Sequence, residues 1–219
     1  MDINSYIDHT LLHASVTERD IIKHCNDAKL HKFHSVCINS CYVPLAKQLL
    51  KNSNVIVCAT IGFPLGAAST ETKVFEAKQA VAYGAEEIDM VMNLGFFKSQ
   101  NYVEVLKDIR DVKSAIGRIP LKVIIEIDEL SKNGVVKASE ICVDAKADFV
   151  KTSSGFTKNG ATLTAAKIIR KTVKENCKIK ASGGIHDYET ARKYIDIGVE
   201  RIGTSKGVEI SEGQLTTVA

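Results

Sequence analysis

Leu121-Lys122-Val123-Ile124-Ile125-Glu126-Ile127 is a short run rich in β-branched residues. Its centre, Val123-Ile124-Ile125, is apolar on both faces, which is typical of a parallel strand that is covered on both sides. A helical pattern follows over 132–145, and a second strand pattern follows over 148–152. Two strands joined through a helix run parallel, because a parallel pair needs a crossover connection. The segment therefore predicts an α/β protein.

The same unit repeats along the chain, with strand and helix patterns in alternation. The strand patterns cover residues 6–9, 35–39, 55–61, 87–92, 121–127, 148–152, 178–182 and 201–204. The helical patterns between them cover residues 17–30, 43–51, 70–82, 102–116, 132–145, 163–175 and 187–195. Thr17 with Asp20 predicts a capping box at a helix start. Gly84, Gly117 and Gly198 stand where helix-ending glycines are expected.

Eight such units without a break in composition favour a closed barrel over an open, doubly wound sheet. The open dinucleotide-binding alternative needs a G-x-G-x-x-G loop after the first strand, and Asp8-His9-Thr10-Leu11-Leu12 supplies none. We therefore predict a (β/α)8 TIM barrel, folded as a single compact domain over residues 1–219.

Composition narrows the classes of function. The chain has 219 residues, of which 45% are hydrophobic, and a net charge of only +3 without Trp, so we expect no nucleic-acid partner. There is no signal-peptide pattern and no apolar run of the roughly 20 residues that cross a bilayer, so we expect no membrane association. The scattered cysteines lack the spacing of a metal site or a disulfide framework. We expect reduced thiols, no metal and a cytoplasmic location.

The first candidate site residue is Lys151, late in the strand pattern 148–152. Alternation places Phe149, Lys151 and Ser153 on one face. In barrels of this type the active site lies at the C-terminal ends of the strands, and a buried lysine without a role is costly. Either Lys151 projects into the barrel as a functional amine, or it is a solvated residue at a strand end. The alternation leaves both open.

Lys180 and Asp89 are candidates for the same reason. Lys180 lies near the end of the next strand pattern, and two inward lysines would each favour the neutral amine of the other. A Schiff-base nucleophile needs a neutral amine, although Lys180 could instead bind an anion as a fixed charge. Asp89 stands among apolar residues, where it could carry protons or only form a salt bridge with a lysine.

Two glycine-rich segments follow the last two strand patterns, Ser182-Gly183-Gly184 and Gly203-Thr204-Ser205-Lys206-Gly207. Glycines allow backbone N–H groups to approach an anion, and a phosphate site after the seventh and eighth strands recurs in barrels. Each segment alone could be an ordinary turn. Together they indicate phosphate binding.

Several segments together resemble the deoxyribose-phosphate aldolase family, in order from about Ile7 to about Gly207. They are Ile7-Asp8-His9-Thr10-Leu11-Leu12, Gly62-Phe63-Pro64-Leu65-Gly66, Glu87-Ile88-Asp89-Met90-Val91-Met92-Asn93, Lys122-Val123-Ile124-Ile125-Glu126, Phe149-Val150-Lys151-Thr152-Ser153-Ser154-Gly155-Phe156, Lys180-Ala181-Ser182-Gly183-Gly184-Ile185 and Arg201-Ile202-Gly203-Thr204-Ser205.

The resemblance implies a class I aldolase that reversibly cleaves 2-deoxy-D-ribose 5-phosphate into acetaldehyde and D-glyceraldehyde 3-phosphate, without a cofactor. It implies that Lys151 forms the Schiff base, that Lys180 favours its neutral amine, and that Asp89 donates and accepts protons. The residues that the resemblance places around the substrate phosphate are Gly155, Gly183, Gly184, Gly203 and Ser205. It assigns Asp8 and Thr152 to the polar network that supports the lysines. A homodimer is expected from the frequency of such assemblies.

Departures from the family pattern include Leu12-His13-Ala14-Ser15, the acidic run Ile127-Asp128-Glu129-Leu130, and Lys206 beside the expected phosphate. These departures bear on substrate affinity and turnover, since the nucleophile, the second lysine and the aspartate are all present. Two alternatives stay open. One is another Schiff-base sugar-phosphate aldolase or transaldolase, and the other is a non-catalytic barrel that binds a phosphorylated metabolite.

Overall fold

Eight parallel strands close into a barrel in chain order, with the last strand paired to the first. The strands are β1 Ile7–Leu11, β2 Ser35–Asn39, β3 Ile56–Ile61, β4 Glu87–Val91, β5 Leu121–Ile124, β6 Phe149–Lys151, β7 Lys178–Ser182 and β8 Arg201–Thr204. This computed structural model describes residues 2–218, with side chains over 2–216, so residues 1 and 219 of the predicted domain lie outside the described range. The predicted TIM barrel is confirmed.

Helices cover the barrel, one or more after each strand. They are α1 Glu18–His31, α2 Val43–Leu49, α3 Thr70–Ala82, α4 Leu94–Lys98, α5 Tyr102–Ile116, α6 Lys132–Asp144, α7 Leu163–Val173, α8 Tyr188–Asp196 and α9 Gly207–Val218. The predicted capping box of α1 is present, since Asp20 Oδ2 accepts the Thr17 N–H at 2.9 Å. Gly84, Gly117 and Gly198 follow helices with positive φ, as predicted. Helices α4 and α9 lie outside the seven predicted helical patterns.

The largest error in a predicted strand concerns β5. The pattern over 121–127 predicts a strand to its end, but β5 stops at Ile124 and a 3₁₀ turn, Ile127–Glu129, follows. Glu126 adopts left-handed backbone angles, with φ of 52°, and its carboxylate accepts the N–H of Ser154. The chain therefore turns at the rim of the barrel after β5. Ser154, which donates this hydrogen bond, lies far along the chain.

The protein has two buried regions of different character, one between the strands and the helices and one inside the barrel. Between strands and helices the packing is apolar, with fully buried side chains such as Val57, Ile88 and Val123. Inside the barrel, the pairing of neighbouring strands places charged residues next to each other. Asp89 is paired with Lys122, and Lys151 is paired with Lys180. No helix within residues 2–218 is long and apolar enough to cross a membrane.

Candidate active site

Lys151 is the last residue of β6 and lies inside the barrel. Its side chain is 1% exposed, and its Nζ lies 2.8 Å from Asp89 Oδ2. Alternation along the strand put it on the same face as Phe149, and β6 follows that alternation. Lys151 is therefore not a solvated residue at a strand end.

Asp89 joins three lysines through its two oxygens. Oδ2 accepts from Lys151 at 2.8 Å and from Lys180 at 2.9 Å, and Oδ1 accepts from Lys122 at 2.9 Å. Burial opposes ionisation of this carboxyl, but the three ammonium groups outweigh it and hold its pKa well below the usual range. Asp89 is thus an anion at the centre of a cationic cluster.

Lys180 has two carboxylate partners and stays charged, which corrects one expectation. Its Nζ lies 2.5 Å from Asp8 Oδ2 and 2.9 Å from Asp89 Oδ2. Burial disfavours the ammonium, but the two carboxylates outweigh burial and raise the pKa of Lys180. The expectation that each lysine favours the neutral amine of the other is therefore wrong for Lys180, because ion pairing exceeds the repulsion.

Lys122 belongs to this cluster, although sequence reasoning did not single it out. It is fully buried, and its Nζ lies 2.6 Å from Glu87 Oε2 and 2.9 Å from Asp89 Oδ1. Burial again disfavours its charge, yet the neighbouring carboxylates raise its pKa. A signal was available in the sequence, because a lysine inside an apolar strand run is costly unless it has a partner.

The contacts among these residues define a charged network inside the barrel. Its carboxylates are Asp8, Glu87 and Asp89, and its cations are Lys122, Lys151, Lys180 and Arg201. With every group ionised, the network carries one positive charge too many for a dry interior. Among the four cations, Lys151 has one carboxylate partner and each other cation has at least two. Lys151 is therefore the cation whose charge is least compensated by carboxylates.

A cavity of about 200 Å³ opens above Lys151 at the C-terminal mouth of the barrel. It is lined by Lys151 and by every residue predicted to surround the phosphate, namely Gly155, Gly183, Gly184, Gly203 and Ser205. His13, Phe156 and His186 also line it, and sequence reasoning assigned them no role. Asp89 and Lys180 are fully buried and lie outside the lining. The predicted residues are thus brought together in two layers, with the charged network beneath the cavity.

Gly203 serves Lys180 as well as the cavity. A Cβ at this position would lie 2.9 Å from Lys180 Cε and 2.8 Å from Ser182 Cβ. These distances are shorter than real contacts of such atoms allow. The absence of a side chain at Gly203 therefore makes room for the second lysine.

The remaining candidate residues, Asp8, Thr152 and Lys206, contact different parts of the structure. Asp8 pairs with Lys180 and Arg201, as the expected supporting network requires. The hydroxyl of Thr152 instead donates to the Ser182 carbonyl at 3.1 Å, and it accepts the Ser182 N–H at 3.0 Å. Thr152 therefore joins the ends of β6 and β7. Lys206 pairs with Glu209 on the surface at 2.8 Å and does not line the cavity.

Among the residues whose side chains the structure describes, two sets have ligand atoms close enough for a metal ion: Cys37 with Cys58 and Asp89, and Asp8 with His34 and Glu87. The carboxylates of both sets already contact lysine or arginine side chains. A metal ion would have to compete with those cations at close range. The donor sets therefore suit the ion-pair network better than a metal centre.

Comparison with known proteins places this geometry in a family. The profile of the DeoC/LacD family of aldolases matches residues 3–210. The chain is 50% identical over 213 residues to a deoxyribose-phosphate aldolase of Finegoldia magna, covering 97% of this chain and 100% of the relative. It is also 50% identical over 215 residues to a deoxyribose-phosphate aldolase of Carboxydothermus hydrogenoformans, covering 96% of this chain and 94% of the relative.

Solved structures give the same result. An aldolase called QR15 matches with a TM-score of 0.96 at 40% identity, covering 100% of this chain and 98% of that one. A deoxyribose-phosphate aldolase from Aeropyrum pernix, described as a tetramer, matches with a TM-score of 0.88 at 29% identity. That match covers 99% of this chain and 92% of the other.

Proposed function

We propose a function on the basis that this chain belongs to the DeoC/LacD family of aldolases. It cleaves 2-deoxy-D-ribose 5-phosphate reversibly into acetaldehyde and D-glyceraldehyde 3-phosphate, through a Schiff base on Lys151. The observation that carries the proposal is a buried lysine below a cavity, with Asp89 Oδ2 2.8 Å from its Nζ. The substrate is inferred from the names of relatives that are 50% identical.

The first half of the reaction uses Lys151 as a neutral amine. It attacks the C1 aldehyde of the open-chain sugar, and the carbinolamine then loses water to give a protonated imine. Asp89 is the counter-ion of that cation. Its pKa is low while all three lysines are charged, and it rises when Lys151 is neutral, because one of the charges that stabilise the carboxylate is then absent. Asp89 is thus a better base during these steps than in the fully charged network.

Carbon–carbon cleavage follows from the imine. The C3 hydroxyl loses its proton, the C2–C3 bond breaks, and its electron pair moves into the protonated imine. Glyceraldehyde 3-phosphate leaves, and an enamine of acetaldehyde remains on Lys151. Protonation of the enamine carbon and hydrolysis then release acetaldehyde and restore the amine. The imine is the electron sink, so the proposed route uses no cofactor.

The phosphate is bound at the exits of β7 and β8 in this proposal. Gly183 and Gly184 bring backbone to the cavity wall, and Ser205 adds a hydroxyl on the adjacent exit. The helix α9 begins two residues after Ser205, and the amino end of a helix attracts anions. Gly155 forms part of the wall next to Lys151.

Trapping with borohydride tests the proposed nucleophile. Acetaldehyde and borohydride should leave a reduced adduct on Lys151, located by mass spectrometry, and deoxyribose 5-phosphate should release glyceraldehyde 3-phosphate. Lys151→Leu should abolish both signals, while Lys158→Leu, which removes an exposed lysine from the same loop, should keep both. An adduct on another lysine would contradict the mechanism. An adduct on Lys151 without product release would indicate a different aldolase substrate.

The proposal also covers the domain, the cellular location and the oligomeric state. Residues 1–219 form one aldolase domain, supported by the inclusion of all eight strands in one barrel. The enzyme works in the cytoplasm, supported by its six free thiols, five of them buried. The homodimer stays a prediction, and light scattering of the purified protein tests it.

A further inference from the structure

The loop between β6 and α7, residues 152–162, is held at its tip by an aspartate from the neighbouring loop. Asp128 lies in the 3₁₀ turn after β5, and its Oδ2 accepts the N–H of Asn159 at 2.7 Å and that of Gly160 at 3.3 Å. Burial opposes ionisation, but the hydrogen bonds from the loop, of which that of the Asn159 N–H is the largest, outweigh it, so the pKa of Asp128 is lowered. The carboxylate is therefore charged at neutral pH.

The loop tip rests on the exit of β7. Gly160 has a φ of 74°, and a Cβ there would lie 2.5 Å from the carbonyl carbon of Gly183. The next residue, Ala161, donates its N–H to the Gly183 carbonyl at 3.0 Å. Backbone therefore packs directly on backbone, and the position of the tip constrains the glycines that line the cavity.

The base of the same loop is held separately. The Glu126 carboxylate accepts the Ser154 N–H at 3.2 Å and the Thr157 hydroxyl at 3.1 Å. Phe156 packs edge-on against Phe63, with ring centroids 5.1 Å apart. These contacts fix the loop near Lys151 without reaching Gly160. The side chain that accepts the N–H groups of Asn159 and Gly160 at the tip is the carboxylate of Asp128.

We propose that Asp128 is a positioning residue for the phosphate: it holds the 159–161 tip against Gly183 and thereby fixes the backbone N–H groups that receive the anion. Asp128 does not line the cavity and touches no reacting atom. The inference rests on the proposed function, since it needs a phosphate at the exits of β7 and β8. Donors that are already ordered bind an anion more tightly, because less conformational freedom is lost on binding.

Charge alone would give the opposite effect. A carboxylate near a phosphate repels it, so removing Asp128 should improve affinity if only its charge mattered. If its hydrogen bonds to the loop tip matter, removing it should weaken affinity for phosphorylated ligands only. A general loss of stability would instead impair phosphorylated and unphosphorylated substrates alike.

The kinetic experiment compares Asp128→Ala with Glu129→Ala. Glu129 is the adjacent exposed carboxylate, and it pairs with Lys98 rather than with the loop. The substrates are deoxyribose 5-phosphate for cleavage, and glyceraldehyde 3-phosphate or glyceraldehyde with acetaldehyde for synthesis. For Asp128→Ala we expect KM for both phosphorylated substrates to rise about tenfold, the scale of one lost charge-assisted hydrogen bond, with kcat within about twofold. The values for glyceraldehyde, and all values for Glu129→Ala, should stay within about twofold of the parent.

Two further measurements separate positioning from a loss of folding. Asp128→Asn keeps an oxygen acceptor and should restore most of the affinity, with KM raised no more than about threefold. Trypsin should cut after the exposed Lys158 faster in Asp128→Ala than in the parent. If Asp128→Ala does not fold, Asp128→Ser, whose side chain is too short to reach both donors, takes its place.

The results that overturn the inference are specific. They are an unchanged or lower KM for phosphorylated substrates in the variant, or an equal loss for glyceraldehyde and its phosphate. Failure of the proposed function would be visible in the parent protein, as no Lys151 adduct and no glyceraldehyde 3-phosphate. The two failures are thus distinguishable.

Discussion

Single residues matter in this barrel because its interior is charged. Asp89 contacts three lysines, and Lys151 has only Asp89 as a carboxylate partner. The four cations of the charged network outnumber its three carboxylates, and Lys151 is the cation with the fewest carboxylate partners. Lys180, by contrast, contacts both Asp8 and Asp89, and these carboxylates outweigh burial and raise its pKa.

Gly203→Ala tests the space around the second lysine. The added Cβ would approach Lys180 Cε to 2.9 Å, so the side chain of Lys180 must move away from Asp89 or Asp8. We expect kcat for deoxyribose 5-phosphate cleavage to fall by about 10²-fold, the scale of a misplaced catalytic group. Gly134→Ala, in helix α6, should leave steady-state kinetics unchanged. Wild-type kcat in Gly203→Ala would show that Lys180 tolerates displacement.

At the scale of elements, a buried ion pair joins two helices to the barrel. Lys73 on α3 is fully buried, and its Nζ lies 2.6 Å from Asp108 Oδ2 on α5. The same ammonium donates to the carbonyl of Val91, the last residue of β4, at 3.1 Å. The pair therefore fixes α3 and α5 over the end of the strand that carries Asp89.

Asp108→Ala should destabilise the fold severely. It leaves the Lys73 ammonium buried without its carboxylate, which costs about 3–5 kcal/mol. Asp111→Ala on the same helix breaks an exposed pair with Lys107 and should cost less than about 1 kcal/mol. Urea unfolding measures both. The double change Lys73→Met with Asp108→Leu should recover most of the loss, and no recovery would mean that the cost is not an unpaired charge.

At the scale of the whole molecule, stability depends on pH through two buried histidines. His9 and His24 stack with ring centroids 3.9 Å apart, and His24 Nε2 donates to the His9 carbonyl at 3.0 Å. Burial lowers the pKa of His9 to about 2 and that of His24 to about 4. Both are therefore neutral in the folded protein where an unfolded chain, with a pKa near 6.5, takes up protons.

The free energy of unfolding should fall as pH falls below about 6.5, because the unfolded state then binds more protons. At pH 5 the loss should be about 2 kcal/mol for each of the two histidines, while both are insensitive above pH 7. Urea unfolding between pH 5 and 8 measures this. His24→Gln should halve the slope, and His13→Gln, at an exposed position, should leave it unchanged. An unaltered slope in His24→Gln would contradict the assignment.

Below about pH 4 a second loss should begin, because the pKa values of Asp8, Glu87 and Asp89 are all lowered in the folded state. Folding holds these carboxyls ionised, so their contribution is present above the unfolded pKa values near 4 and is lost as pH falls further. As pH falls, the free energy of unfolding is thus expected to decrease in two stages. Protonation of the histidines in the unfolded chain causes the first, and protonation of the carboxyls of the charged network causes the second.

The sequence by itself determined the eight strands, the seven helices predicted between them and the face that Lys151 shares with Phe149, without deciding whether that face points into the barrel. These depend on local properties, namely hydrophobic period, capping and strand alternation, that need no distant partner. The same alternation applied to Lys180, and the apolar neighbours of Asp89 made that residue a candidate for pairing with a lysine. The end of β5 was missed, because it is set by contacts of Glu126 with a loop almost thirty residues away.

Only the tertiary structure decided how the charges are partnered. Asp8, at one end of the chain, pairs with Lys180 and Arg201 near the other, and closure of the barrel between β8 and β1 brings them together. Ion pairing depends on distances across the barrel, which no local pattern contains. For that reason Lys122 became visible as a member of the site, and Lys180 proved to be charged, only once the barrel was closed.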